Sequence, residues 1–329
     1  MIDCLSNPSW IGPQTDFLLF LQNYRTGYLE NFDKFFLSIT IFGEFWLPTI
    51  ICAIAYWCVD FRAGVYLLSL EGVNIFVAHL FKMLACVYRP WVLDERICPS
   101  KLAIPYAKGY SFPSGHSAMS SSVLGGVAYL LKNKKTLCFL LIGLVLLIGF
   151  SRLWLGVHTP QDVVAGLLIG FTLIFIINKI IDWAEKDKNR YLYLALAINV
   201  FAVLALIYVC YFNNYRIDYI GGEILVNPYK QIYVTCVVYG FALGLLNGCF
   251  LCRRFFPFNP KEVSVKRRIL RGIIGAIITL TMMKVLLEFL IMNIVDTKVA
   301  MVLTFSMGFV ITFVYPIIFI HFGKLLKKV

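Results

Sequence analysis

Charge is scarce in this sequence, and acid is the scarcer sign. Only 15% of the 329 residues are Asp, Glu, Lys or Arg, against roughly 25% in an ordinary soluble domain. Hydrophobic residues make up 60%, and mean hydropathy is +0.79. Such a chain has too little polar surface to coat a globule in water, which excludes a soluble globular fold. The first twenty residues lack a basic segment followed by an apolar core and a small-residue cleavage site, so no cleavable leader is expected and targeting falls to the spans themselves. Internal repeats and low-complexity segments are lacking too, and no stretch reads as a separate soluble domain.

What is present is apolar runs. Crossing about 30 Å of hydrocarbon takes roughly 20 residues of helix, and nine runs qualify: about 36–58, 64–82, 116–132, 136–153, 160–182, 191–212, 229–251, 270–293 and 298–322. The expected fold is therefore all-α, a polytopic helical membrane protein of about nine transmembrane helices. The third run is short, as if its start were sunk in a polar pocket. Residues 1–35 hold an amphipathic stretch, Asp16 to Arg25, which suits either the membrane interface or a simple leader. In a membrane protein the net charge of +12 reports orientation before it reports nucleic acid, and no nucleic-acid partner is expected. With loops alternating sides, the clusters at 132–135, 186–190, 253–254 and 261–271 fall together on one side, which is then cytoplasmic. The N-terminus and the loop at 91–112 fall outside.

The polar residues that remain are concentrated between Lys82 and Asp162 in three short blocks. The first is Lys82 with Arg89 and Pro90. Seven residues are two helical turns, so the two cations are expected on one helix face, with Pro90 as the stop. The second is Pro113, Ser114, Gly115 and His116. Ser114 has the chemistry of a helix cap, which leaves Gly115 and His116 in the first turn, where backbone donors suit an anion. The third is Ser151 and Arg152, followed by His158 and Asp162. Thr159 and Pro160 read as the cap and first position of another helix, so Asp162 can serve as a cap; it also lies four residues from His158, close enough to hold an imidazole nitrogen.

Phosphoryl transfer needs an in-line nucleophile and donors around the spectator oxygens. An imidazole fixed by a carboxylate meets the first need, and His158 with Asp162 fits it. His116 fits a general acid that later acts as base. Lys82, Arg89 and Arg152 fit the spectator oxygens. Elsewhere, Glu71 and His79 read as polar partners within the bundle or support for Lys82. Lys284 and Glu288, one turn apart, read as a neutralising pair or a substrate passage. Gly166 with Gly170, and Gly240, Gly244 and Gly248, have the four-residue spacing of close helix packing. Most of the ten cysteines fall in or beside spans as small apolar residues; Cys86 and Cys98 stand either as free thiols or as a disulfide.

The order and spacing of the three blocks resemble the type 2 phosphatidic acid phosphatase superfamily of lipid phosphate phosphatases. The resemblance covers roughly 36–212, and the spans beyond are similar to the glucose-6-phosphatase branch. It implies a metal-independent hydrolase with no cofactor, a phosphohistidine on His158, His116 as acid and then base, and Asp162 as partner of His158. Lys82, Arg89, Ser114, Gly115 and Arg152 would form the phosphate pocket, with Ser151 and Pro113 supporting it. The outer loops hold no clustered Asp, Glu or Cys set, which agrees with no metal. The implied partner is a phosphorylated lipid in the bilayer, monophosphate or diphosphate, with oligomeric state open. The implied place is the bacterial inner membrane with a periplasmic site and a cytoplasmic C-terminus, or an endoplasmic reticulum with a lumenal site. By chain order the sequence divides into 1–35 as an interfacial segment, 36–212 as the phosphatase core and 213–329 as a three-span bundle. A soluble sugar phosphate as substrate, a transporter, and an inactive lipid-binding scaffold are the competing readings.

Overall fold

The computed structural model describes residues 8–28, 32–215, 217–220, 223–292 and 296–325. Its elements are almost all helical. In order they are α1 (Pro8–Tyr28), α2 (Phe32–Thr40), α3 (Trp46–Ile54), α4 (Phe61–Ala85), the short α5 (Pro90–Leu93), α6 (Gly115–Leu130), α7 (Lys135–Trp154) and α8 (Pro160–Glu185). There follow α9 (Arg190–Ile207), α10 (Pro228–Phe255), α11 (Val265–Met292), α12 (Thr297–Phe309) and α13 (Tyr315–Leu325). The one departure is a two-residue antiparallel ladder, Tyr219–Ile220 with Glu223–Ile224.

The all-α membrane architecture expected from composition is what the chain adopts, but the span count differs. Among the described residues six helices are long and apolar enough to cross a bilayer, or up to seven if 32–43 and 46–59 make one bent span. The run at 116–132 falls on α6, which has only 16 residues, about 24 Å of rise against a hydrocarbon core of about 30 Å. Serine explains the shortfall in hydrophobicity: Ser117, Ser120, Ser121 and Ser122 are all fully buried on it. The run at 270–293 ends in residues outside the described ones. So does the pairing expected of Lys284 with Glu288, whose side chain is not among those described; Lys284 itself is exposed. The long helices turn apolar side chains outward, as lipid-facing surfaces must: Phe139 is 76% and Leu168 61% exposed.

The chain forms two compact units, each built from separated segments: 1–47, 77–172 and 208–232 in the first, and 48–76, 173–207 and 233–329 in the second. The division by chain order at 35 and 212 therefore describes sequence rather than compactness. In the first unit, α6 packs along α7, and α8 lies against α6 so closely that a Cβ on Gly166 would stand 2.6 Å from the Ser114 carbonyl. Gly170 is equally tight against Ser121 and Ser122. These two glycines fix how near the block starting at Ser114 comes to the start of α8. A small core of Phe36, Ala103, Ala107, Trp154, Leu155 and Val157 supports the end of α7. Straps from the N-terminal region cover it: Trp154 donates its indole N–H to Asp33 at 3.1 Å, and buried Arg25 donates to the carbonyls of Trp154 and Cys98.

In the second unit, Gly240, Gly244 and Gly248 face backbone and side-chain atoms of α12 and the turn after it within contact distance, the close packing their spacing predicts. Glu71, fully buried, accepts the hydroxyl of Thr49, a structural pairing of the kind the sequence suggests.

Replacing Gly166 by Val should push α8 off α6 and cost about 1–3 kcal/mol, the usual range for overpacking. Gly143→Ala, where an added Cβ meets nothing within 4 Å, should leave stability unchanged or slightly raised. Thermal unfolding midpoints in detergent compare the two; equal midpoints would remove the close-packing account.

Candidate active site

All three polar blocks lie in the first unit, and the structure brings them together around His158. Their route there departs from the sequence reading in one respect. Helix α4 ends at Ala85, before Arg89 is reached, so Lys82 and Arg89 do not share a helix face. Cys86 takes a left-handed conformation (φ 49°) while its N–H still bonds to the Lys82 carbonyl at 3.1 Å. The chain then runs extended to Arg89, which precedes Pro90 at the start of α5. The stop comes from the backbone at 86, four residues ahead of the proline.

Lys82 and Arg89 both point their donors at the loop 108–113. The ammonium of Lys82 donates to the carbonyls of Tyr110 at 3.1 Å, Ser111 at 3.3 Å and Pro113 at 2.8 Å. That uses all three of its donors. Arg89, 7% exposed, donates Nε to Gly109 O at 3.1 Å and its terminal nitrogens to Lys108 O at 3.1 Å and Val157 O at 2.8 Å. The Pro113 carbonyl is thus one of the acceptors that hold the Lys82 ammonium. Ser151 does not reach the site, since its hydroxyl donates to Ile148 O of its own helix at 2.6 Å.

His158 is placed by a turn. Gly156 takes φ 68° at the end of α7, a conformation that glycine adopts without the Cβ penalty. Val157 N–H then bonds back to Arg152 O at 3.1 Å. The imidazole is 2% exposed. Its Nε2 lies 3.0 Å from a terminal nitrogen of Arg89. A guanidinium only donates, so Nε2 must be the accepting nitrogen, and the proton sits on Nδ1. Nδ1 in turn lies 3.4 Å from Asp162 Oδ2 and 3.2 Å from Ser111 Oγ. Burial, then the cations of Arg89, Arg152 and Lys82, hold the imidazole well below its usual pKa. A neutral ring with its lone pair on Nε2 is the form that can attack phosphorus.

Asp162 is fully buried and does two jobs at once. Its Oδ2 accepts the Thr159 N–H at 2.8 Å, the backbone half of a capping box, and the Ser111 hydroxyl at 2.6 Å. The Thr159 hydroxyl, by contrast, has no partner. The cap and the histidine partner are one carboxylate.

Ser114 caps α6 as expected, accepting Ser117 N–H at 3.4 Å, and its own N–H bonds to Asp162 O at 2.9 Å. A Cβ on Gly115 would meet no atom within 4 Å. The buried Nε2 of His116 and Nε of Arg152 have no hydrogen-bond partner, and both groups lie near enough to act electrostatically on His158. Two residues here escaped the sequence reading. Ser111 sits in a loop without periodicity, two positions before its block. Gly43 packs on His116, with a notional Cβ 2.8 Å from its carbonyl. Cys86 and Cys98 are both free thiols. No group of three or more His, Cys, Asp or Glu side chains with metal-binding geometry occurs among the described residues.

Two family profiles match this chain: one described as the PAP2 superfamily, over residues 63–186, and one described as PAP2 superfamily phosphatase, transmembrane extension, over 236–328. The chain belongs to the PAP2 superfamily. The first match encloses every residue of the three blocks, and the second covers the added helices. Among curated relatives, Bacillus subtilis phosphatidylglycerophosphatase B is 33% identical over 116 residues, 33% of this chain and 55% of the relative. Sulfolobus acidocaldarius undecaprenyl-diphosphatase is 32% identical over 115 residues, 35% and 53%. Mouse sphingosine-1-phosphate phosphatase 1 is 32% identical over 104 residues, 30% and 24%. The chain spans about half the length of the first two and a quarter of the third. No solved structure matches it.

Lys82→Met keeps the side chain's length and removes three charge-assisted bonds to the loop. Amides in 108–113 should then exchange with deuterium at least tenfold faster, as bonds to charged groups contribute about 1.5–3 kcal/mol each. Unchanged exchange would show that the loop is held by its other contacts.

Proposed function

We propose that this chain is an integral membrane phosphatase that hydrolyses a phosphate or diphosphate carried by a lipid, through a phosphohistidine on His158. The observation that carries the reading is the buried His158, oriented by Asp162 and Ser111 at Nδ1 and held unprotonated at Nε2 by Arg89. In the first step the Nε2 lone pair attacks phosphorus and the bond to the leaving oxygen breaks. His116 gives that oxygen its proton. Nδ1–H stays on the ring, and Asp162 stabilises the charge that develops there. In the second step His116 takes a proton from water, the hydroxyl attacks phosphorus, and phosphate leaves with the imidazole restored.

Arg89, Lys82 and Arg152 stabilise the spectator oxygens, with backbone donors at Ser114 and Gly115 completing the pocket. Arg89 changes partner in this scheme: the N–H that holds Nε2 passes to a phosphate oxygen, which frees the lone pair as substrate arrives. No metal enters the scheme, because fixed cations and amides supply the charge. Lipid substrates are favoured over soluble sugar phosphates because the three relatives described above are each a phosphatase of a lipid phosphate or diphosphate. Residues 36–212 would carry the catalysis, and 213–329 would add helices to it.

Purified protein assayed in EDTA should release phosphate from lipid phosphates or diphosphates and not from glucose 6-phosphate. His158→Ala should be inactive on every substrate. General acid catalysis contributes about 10²–10⁴-fold, so His116→Ala should lose about that much with an alkyl leaving group and recover much of it with an activated aryl phosphate. Rescue of His158→Ala by the aryl substrate would exchange the two roles, and loss of activity in EDTA restored by a divalent ion would replace the mechanism.

The site is proposed to face outward, with the basic loops inside. A cysteine introduced in the loop at 91–112 should then react with an impermeant thiol reagent on intact cells, and one in 255–265 should not. The reverse pattern would invert the topology.

A further inference from the structure

The second unit has a cavity of about 510 Å³ at its most basic end, within the size range of small-molecule sites. It lies between the end of α10, the connection to α11, and α13. Phe255, Phe256 and Phe258 line one wall, and Phe319 another. Arg271, one of two charged side chains in the lining, lies with its guanidinium 3.8 Å from the centre of the Phe319 ring. One edge of it is anchored by donation to Trp57 O at 3.1 Å. Among the described residues no carboxylate forms an ion pair with it. Glu262 is the other charged lining residue; in the same stretch of chain Arg253 pairs with Glu185 and Lys261 with Asp60, while Arg254, Lys266, Arg267 and Arg268 form no ion pair among the described residues.

Aromatic side chains at the end of a span are common as interfacial anchors, which accounts for the exposure of Phe255 and Phe256. An anchor belt does not require a cavity, and it does not place an arginine inside one. An apolar cleft at the end of a helical bundle, with one guanidinium fixed by stacking and a basic segment around it, has the features of a site for an anionic amphiphile. The planar donors of arginine suit a phosphate, and the phenylalanine walls suit the first part of an acyl chain.

We propose that this cavity binds one anionic phospholipid, its phosphate on Arg271 and its chain against Phe255, Phe256, Phe258 and Phe319. The site is separate from the residues around His158 and does not depend on the phosphatase reading. The bound lipid would tie the connection between α10 and α11 to α13, so that anionic bilayers stabilise this unit more than neutral ones.

Native mass spectrometry of the full chain in neutral detergent tests this, with phosphatidylglycerol, phosphatidylethanolamine and phosphatidylcholine added separately. Wild type should retain one phosphatidylglycerol at concentrations where neither of the others is held. Arg271→Gln should weaken that binding about tenfold, and Arg271→Lys less. Val263→Trp, which fills the cavity without changing charge, should also weaken it, and it serves if the Gln variant does not fold. His158→Ala should bind as wild type does. Equal retention of phosphatidylethanolamine or phosphatidylcholine would overturn the charge preference. Unchanged affinity in the Arg271→Gln and Val263→Trp variants would overturn the location. Displacement by glycerol 3-phosphate as effective as by lipid would show a free-anion site and overturn the lipid.

Discussion

A carboxylate without solvent is costly unless its oxygens are filled with donors, and Asp162 is wholly buried at the start of a membrane helix. Three donors converge on one of its oxygens: a backbone N–H from the cap of its own helix, a hydroxyl from the loop before α6, and the ring N–H of His158. Two come from consecutive residues, His158 and Thr159, in the turn between α7 and α8, and the third from the loop before α6. Filling this one oxygen therefore joins the loop at 111 to the turn that starts α8. The carboxylate is also the negative charge that acts on Lys82 and Arg89, while Glu44 acts on Arg152. Without it the cations Lys82 and Arg89 would repel each other and Arg152 with less to offset them.

The distance between the blocks is set by an absence of side chains. Gly166 and Gly170 let α8 touch the backbone of α6 near Ser114, and the Ser114 N–H then reaches the Asp162 carbonyl at 2.9 Å. One helix N-terminus is thereby locked to another by a direct main-chain bond. In a bilayer, where association of helices gains little from the hydrophobic effect, such small-residue contacts supply much of the specificity. The buried serines of α6 belong to the same design: the hydroxyls of Ser120, Ser121 and Ser122 bond to i−3 or i−4 carbonyls of their own helix, and Ser117 donates to the Ser114 hydroxyl at its cap.

Much of this was legible in the sequence, for reasons that differ by residue. His158 and Asp162 were readable because i, i+4 spacing places two side chains together whether or not the intervening cap is known. Ser114 and Gly115 were readable because a cap has a local signature. Lys82 and Arg89 were misread in placement: a seven-residue interval suggests two turns, yet α4 ends at Ala85, and only the left-handed backbone at Cys86 marks the break. Ser111 had no signal, since a loop residue acquires its partners only when distant segments meet. A count of nine spans is not confirmed among the described residues: α6 is short and serine-rich, and hydropathy alone does not weigh serines that are buried against neighbouring helices.

The cations also show how the site holds together before any phosphate arrives. Lys82 and Arg89 direct their donors to carbonyls at 108–113 and 157, not to open space. Burying such charges without partners would destabilise the fold, and the carbonyls act as neutral substitutes for phosphate oxygens. In the proposed reading, substrate binding would be an exchange of acceptors, its free energy reflecting the difference between a phosphate and a set of carbonyls rather than the full strength of each bond. A dianionic phosphate would gain from that exchange by accepting from all the cations at once, whereas a neutral oxygen ligand would not. Arg152 stands apart, since its Nε lacks any partner, and so of the three it has the least to give up. Under that reading the ordering would follow from geometry: Arg152 would receive an oxygen without giving up a bond at Nε, Arg89 would first release His158, and Lys82 would loosen the loop.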